Sequence, residues 1–391
     1  MAARVCCAGW EFTAPGDPNR SWNVSATTVA AYDDNFNGTT VNRQSAVRDT
    51  SDVRFRANVA LERLFVGGQY DYAISYPQDV NLGGYNQTQN LNISGNYAVS
   101  PRLTLGFSEV YINAIEPELV QGPANAPITI VHSGAYVYDA ISGTLNCLLT
   151  PRWSMSVNGS WDIINYSDQT TAHQNDHEDY TGTLSALYLL DPRTTVGVNY
   201  QYAADYYTHP GPNNGLNGYS NTGYLSVVRR FNPRLSLSLN GGYTIRDSED
   251  GTESTGPSAY ASVVYNYGPA DTISLTVAES LNQATTGVSQ QFSAQENTTA
   301  ALQVNHRLTV RLRALADVSY TYSTFTQPLF GVVTLKPHDQ AITAHVGLNY
   351  TFTEWLSAVL DYTHYDLTSS EAFLIQPYTR NMASIGITLT Y

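Results

Sequence analysis

The sequence predicts an all-β chain folded as a single transmembrane antiparallel up-and-down β-barrel of about 18 strands, with short turns at one end and longer loops at the other. Three observations lead there. Segments of 10 to 14 residues alternate apolar and polar side chains along most of the chain, the period of a strand with two unlike faces. A short turn recurs between them at spacings of 36 to 50 residues. Only 13% of the 391 residues are charged, about half the usual soluble share. No stretch approaches the roughly 18 consecutive apolar residues of a membrane helix, and mean hydropathy is −0.25. A barrel escapes the helix test because its lipid-facing and lumen-facing residues alternate and average out.

The turns punctuate the chain. Val99-Ser100-Pro101-Arg102-Leu103-Thr104-Leu105 returns as Leu149-Thr150-Pro151-Arg152-Trp153-Ser154-Met155, as Leu190-Asp191-Pro192-Arg193-Thr194-Thr195-Val196 and as Phe231-Asn232-Pro233-Arg234-Leu235-Ser236-Leu237. Weaker copies are Leu61-Glu62-Arg63-Leu64, Tyr267-Gly268-Pro269-Ala270-Asp271, Val304-Asn305-His306-Arg307-Leu308 and Phe352-Thr353-Glu354-Trp355-Leu356. Proline presets φ for a tight turn and has no place inside a ladder. Between these turns the alternation predicts strands near 21–32, 52–61, 64–76, 87–99, 103–112, 135–149, 153–166, 178–190, 194–207, 219–231, 235–247, 258–267, 271–282, 294–305, 308–322, 339–352, 355–366 and 381–391. The opposite connections, 113–133, 167–177, 207–218, 283–293 and 323–338, are longer and rich in Asn, Gly, Pro, Thr and acids. An even strand count places both termini at the short-turn end, the periplasmic side of a bacterial barrel. A propeller of 40-residue blades is the distant alternative, since about 40–45 residues would have to hold four strands where two long ones are read.

Strand faces follow from the alternation. In 235–245 Leu235, Leu237, Leu239, Gly241, Tyr243 and Ile245 point out, and Ser236, Ser238, Asn240, Gly242 and Thr244 point in. In 308–322 the outward set is Leu308, Val310, Leu312, Ala314, Ala316, Val318, Tyr320 and Tyr322. Tyrosines Tyr70/Tyr72/Tyr76, Tyr200/Tyr202/Tyr206, Tyr320/Tyr322 and Tyr362/Tyr365 gather toward the loop ends, as an interfacial belt requires. The last strand sets Ala383, Ile385, Ile387, Leu389 and Tyr391 on one face. Its aromatic end resembles the assembly signal of bacterial outer-membrane barrels, carried by Ile387, Leu389 and Tyr391.

Composition bounds the function. Net charge is −14 and pI near 4.8, which excludes a nucleic-acid partner. Lys336 is the one lysine. Cys6, Cys7 and Cys147 form neither a disulfide framework nor a metal spacing, and Cys147 reads as a small hydrophobe beside Leu145 and Leu149. Met1–Trp10 is too short for a secretory signal. Residues 1–20 are therefore expected to be an N-terminal periplasmic segment or the remnant of a signal peptide, and 21–391 the barrel.

The first strand, Trp22-Asn23-Val24-Ser25-Ala26-Thr27-Thr28-Val29-Ala30-Ala31-Tyr32, leads into Asp33-Asp34-Asn35, and Ser51-Asp52 opens the next. With the Pro-Arg turns and the aromatic terminal strand, this resembles the "putative β-barrel porin" families of Gram-negative bacteria along essentially the whole chain. The resemblance implies an integral bacterial outer-membrane barrel, either a general porin or a conduit for exported polysaccharide, without catalytic residues or cofactors.

Charge facing lipid costs roughly 2–4 kcal/mol for an arginine at midplane, so charged residues on the polar face are expected to line the lumen. The candidates are Arg54, Arg56, Arg246, Arg311, Arg313, Asp71, Asp162, Asp317 and Asp361. Opposed arginines and carboxylates would set a transverse field and a selectivity filter; the plainer alternative is mutual neutralisation in a plugged interior. Glu109 and Glu279 fall on the apolar face, and a bulge or a rim position is expected at each. His173-Gln174-Asn175-Asp176-His177-Glu178-Asp179 has ligand-type residues without ligand spacing and reads as a solvated acidic loop, as does Asp247–Glu253. His209, His338, His364 and Asp366 form no triad recognisable in sequence. The expected function is a non-enzymatic porin-like channel for small hydrophilic solutes. Its expected partners are outer-membrane lipid and lipopolysaccharide, the barrel-assembly machinery and other copies of the chain. The alternatives are an envelope conduit and a surface structural barrel or adhesin.

Overall fold

The computed structural model describes residues 21–391 except 37, 39, 41, 78–84, 115–118, 122–126, 130–134, 170–171, 173–175, 209–216, 250, 284–291, 329–336 and 371–376. The expectations for residues 1–20, Cys6 and Cys7 among them, and for much of the long connections therefore lie outside the described residues.

The strands are β1 (Trp22–Asp33), β2 (Ala46–Ala60), β3 (Leu64–Pro77), β4 (Asn86–Ser100), β5 (Leu103–Ala114), β6 (Leu119–Gln121), β7 (Pro127–Thr129), β8 (Tyr136–Leu148), β9 (Trp153–Tyr166) and β10 (His177–Asp191). They continue as β11 (Thr194–Tyr207), β12 (Gly218–Asn232), β13 (Leu235–Ser248), β14 (Glu253–Asn266), β15 (Thr272–Gln283), β16 (Phe292–Arg307), β17 (Leu312–Pro328), β18 (His338–Thr353), β19 (Leu356–Ser369) and β20 (Tyr378–Thr390). Strands β6 and β7 form a small hairpin of their own; the other 18 form one sheet in which each strand pairs antiparallel with its neighbours in sequence. The sheet closes where β1 meets β20, with Ala26 opposite Leu389 and Thr28 opposite Ile387. Val24 and Tyr391 exchange backbone hydrogen bonds at 3.1 and 2.8 Å across that seam. Closure removes both edges, so the ladder donors and acceptors are met without water.

The faces are inverted relative to a soluble domain. Val198 (64% exposed), Leu225 and Ile385 stand outward with Leu239, Tyr243 and Leu360, all exposed. An apolar surface this continuous exceeds anything a soluble monomer leaves to water. The inner wall is polar and hydroxyl-rich: Thr222 and Thr244 meet at 2.9 Å, Thr299 and Thr321 at 3.3 Å, and Ser108 and Ser142 at 2.7 Å. A strand such as β11, of 14 residues, extends roughly 48 Å at about 3.4 Å per residue. Tilted by about 40° it stands roughly 37 Å high, enough to span the apolar band of a membrane.

One device recurs in the short turns. The first side chain accepts the backbone N–H two residues on: Ser100 from Arg102 at 3.2 Å, Thr150 from Arg152 at 3.3 Å, Asp191 from Arg193 at 2.7 Å and Asn232 from Arg234 at 2.8 Å. Thr309 does the same for Arg311 at 3.2 Å. This last turn corrects both the turn expected at 304–308, which β16 carries as strand up to Arg307, and the expected strand 308–322. The chain turns at Thr309-Val310-Arg311, with valine where the other copies have proline, and β17 begins only at Leu312. Leu308 and Val310 are turn residues, Val310 being 84% exposed. Strands β2 and β14 start nearer the loops than expected, at Ala46 and Glu253, because polar sequences there hide the strand period.

Glu109 and Glu279 do face outward, but no bulge puts them there. The register runs unbroken through Ile93, Glu109 and Ile141 and through Ala259, Glu279 and Thr298. Tyr365 departs from the outer tyrosine set: it is buried on the inner parity, its ring 5.2 Å from that of Tyr378.

Candidate functional site

Among the described residues, three charged clusters on the lumen wall join side chains of neighbouring strands, and Arg380 on β20 pairs with Asp33 on β1 across the seam. On β2 and β3, Arg54 lies opposite Asp71 and Arg56 opposite Gln69. Arg54 Nε donates to Asp71 Oδ1 at 2.6 Å, Arg56 Nε to Gln69 Oε1 at 2.6 Å, and Gln69 Nε2 to Asp71 Oδ2 at 2.6 Å. The glutamine ties both arginines and the carboxylate into one network.

The second cluster spans β9 to β13. Asp162, Asp179 and Asp205 are cross-strand partners in one row, and Arg246 Nη1 on β13 donates to Asp205 Oδ2 at 2.6 Å. Arg246 is 2% exposed. Carboxylates outnumber guanidinium groups in this row, so the wall is locally acidic. The strand of Arg246 stands nine strands from that of Arg54 in either direction around the ring, which sets the two arginine networks on opposite walls.

In the third cluster His345 on β18 bridges two strands. Its Nδ1 lies 3.1 Å from Asp317 Oδ2 on β17 and its Nε2 lies 3.2 Å from Asp361 Oδ1 on β19. Both ring nitrogens meet carboxylate oxygens, so the imidazole braces the wall across three strands.

Of the candidates from sequence, Arg54, Arg56, Asp71, Asp162, Arg246, Asp317 and Asp361 thus meet charged or amide partners on the inner face. Arg313 is on the inner parity at the turn end, opposite Arg307 and Asn349. Arg311 is the exception. It occupies the β16–β17 turn, off the strand, because the ladder stops at Leu312. Gln69, Asp179, Asp205 and His345 were not among the candidates, although each is the polar member of an alternating strand. Ile387 and Leu389 face outward on β20, and Tyr391 follows them at the seam, 71% exposed.

The His173–Asp179 stretch is only partly a loop. Residues 173–175 lie outside the described residues, and His177 begins β10. Glu178 takes hydrogen bonds from Tyr180 and the Trp161 indole on the outer face, whereas Asp179 joins the inner row. These two carboxylates stand on opposite sides of the wall and cannot share an ion. Among the described residues no cluster of three or more His, Cys, Asp or Glu has metal-holding geometry. His364 points outward, its Nδ1 2.8 Å from Asn381 Oδ1, with Asp366 on the same parity; His209 lies outside the described residues.

Above the acidic row the inner wall turns apolar. Ile112, Ala114, Tyr136, Ile164 and Tyr166 pack together at the loop ends of β5, β8 and β9, with Ala172 against them. Asp176 Oδ1 accepts the Tyr166 backbone N–H at 2.8 Å, which holds the residue before β10 against the end of β9.

No curated protein matches the chain in sequence. Solved structures match in fold. The chain is similar to Pseudomonas aeruginosa OpdK crystallised with vanillate (10% identity, TM-score 0.50, covering 95% of this chain and 99% of that one). It also aligns with Acinetobacter baumannii OccAB4 (11% identity, TM-score 0.48, covering 96% and 100%). The siderophore receptor PirA of Pseudomonas aeruginosa aligns as well (10% identity, TM-score 0.47, covering 96% and 81%). At such identities the likeness is one of fold. Residues 150–391 match the family described as "Putative beta-barrel porin 2", well over half of the chain. With the closed 18-strand barrel and its inverted faces, the chain belongs to this porin family and is an integral outer-membrane barrel.

Proposed function

We propose that the barrel is a passive diffusion channel for small hydrophilic solutes, with its short turns and both termini toward the periplasm. The observation that carries this reading is the inner wall: an 18-strand ring faced by hydroxyls, amides and clustered charged side chains. Barrels of 16–18 strands are wide enough for an aqueous channel, and a wall of this chemistry replaces part of a solute's hydration. The acidic row on β9–β11 favours cations, while the arginine network on β2 opposes it across the lumen. Such a field orients dipolar solutes and sets ion preference. Transport rather than catalysis is the role these features support.

Single-channel recording in a planar bilayer under a salt gradient tests it. The native barrel is expected to give stable conductance steps with a reversal potential on the cation side, and Asp162→Asn/Asp179→Asn to move that potential toward zero. A folded, heat-modifiable barrel that gives no steps would sink the passive-channel reading and favour a gated conduit or a structural barrel.

A further inference from the structure

The turn-end rim carries charge opposite in sign to the chain as a whole, and we propose that it is a docking surface for anionic phospholipid headgroups. The same turn position is arginine in six connections, Arg63, Arg102, Arg152, Arg193, Arg234 and Arg311, and all six are exposed. The carboxylates in the described turns are Glu62, Asp191, Asp271 and Glu354. Six arginines stand against these four carboxylates, two of which accept backbone N–H groups: Asp191 from Arg193 at 2.7 Å and Asp271 from Arg307 at 2.6 Å. A chain of net charge −14 therefore ends in a positive ring, which draws anions to that rim.

The placement of the guanidinium groups points to lipid rather than to a solute entering the pore. Arg152 Nη1 lies 3.4 Å from the Tyr188 hydroxyl, and the Tyr188 ring is 4.8 Å from that of Trp153 on the outer face. Arg193 Nη1 reaches the Phe231 carbonyl at 3.2 Å, and Arg229 sits 5.2 Å over the Phe231 ring. Trp153 and Phe231 are outward and 48% and 42% exposed. Cations beside outward aromatic rings, at the edge of an apolar band, stand at the depth of lipid headgroups. Arginine suits that position because its planar fork takes two phosphate oxygens at once, which an ammonium does not. Lys336, the one lysine, is in none of these turns. A ring of fixed cations prefers a net-anionic headgroup to a zwitterionic one, whose own ammonium it repels.

The test uses the full chain refolded into phosphatidylcholine vesicles, in a W10F/W22F/W161F background so that emission comes from Trp153 and Trp355. Brominated phosphatidylglycerol, added as a minor component, is expected to quench this emission several-fold more than brominated phosphatidylcholine at equal mole fraction. High salt is expected to erase the difference, as is the variant R152Q/R193Q/R229Q; the salt arm needs no variant to fold. Equal quenching by the two lipids in a heat-modifiable barrel would overturn the proposal. If, with equal quenching, dextran sulfate binds the same barrel in neutral detergent, the rim serves a soluble polyanion instead.

Discussion

At Arg246 a guanidinium with 3% of its side chain exposed meets Asp205 at 2.6 Å, and Asp179 and Asp162 stand next in the row. Removing the cation alone leaves three neighbouring carboxylates without it. Arg246→Met is expected to cost about 3 kcal/mol, read as a lower urea midpoint of the refolded barrel, and Asp205→Asn in the same chain to recover part of it. Gly242 is constrained differently. A Cβ there would lie 2.1 Å from the Gly223 carbonyl oxygen and 2.6 Å from Tyr224 Cα, backbone atoms that cannot rotate away. Residue by residue, alternation in the sequence was enough to assign Arg54, Asp71, Asp162 and Asp361 to the inner face. Which of them meet was not legible there. Cross-strand neighbours depend on register, which a one-residue slip would change entirely; the pairing of Arg246 with Asp205 and the His345 bridge appear only in the folded sheet.

The turn is the element that organises this chain, and its chemistry is local. Asn232 accepts two backbone N–H groups, from Arg234 at 2.8 Å and Leu235 at 2.9 Å. Asn232→Ala is expected to lose about 1 kcal/mol, with a lower urea midpoint and faster exchange of those two amides. Asn232→Asp, which keeps the acceptor, should retain native values; equal loss in both variants would argue against the cap. Because such caps depend on neighbouring residues, the turns were readable in sequence, and with them all 18 strands of the barrel. The exception has a physical cause. Thr309-Val310-Arg311-Leu312 makes the turn without proline, and its Leu-Thr-Val-Arg-Leu run keeps strand alternation, so alternation alone carries the strand through it and sets the turn too early. Boundaries near the loops were less legible for the converse reason: the start of β14, Glu-Ser-Thr-Gly-Pro-Ser, is paired backbone with turn-like residues.

For the whole molecule, the outer apolar surface and the polar inner wall make sense only together, as a closed ring in lipid. A chain ending at residue 377 would keep β1 and β19 but leave each with an open edge. It is expected to give no heat-modifiable compact band after refolding into vesicles, whereas a shift like that of the full chain would show that closure does not need β20. The seam has a further consequence for how the barrel forms. Every other pairing in the main sheet joins strands consecutive along the chain or separated only by the β6–β7 hairpin, so each is a short, inexpensive loop to close. The β1–β20 contact alone is distant in sequence; Thr27 and Thr388, 361 residues apart, bond there at 3.1 Å. Loop-closure entropy for such a span is about 5 kcal/mol beyond the constant term, and it falls on a single event. Hairpins can accumulate early and cheaply, and the meeting of the first and last strands becomes the natural bottleneck of folding. Substitutions at the seam should therefore slow folding more than equal substitutions elsewhere in the wall.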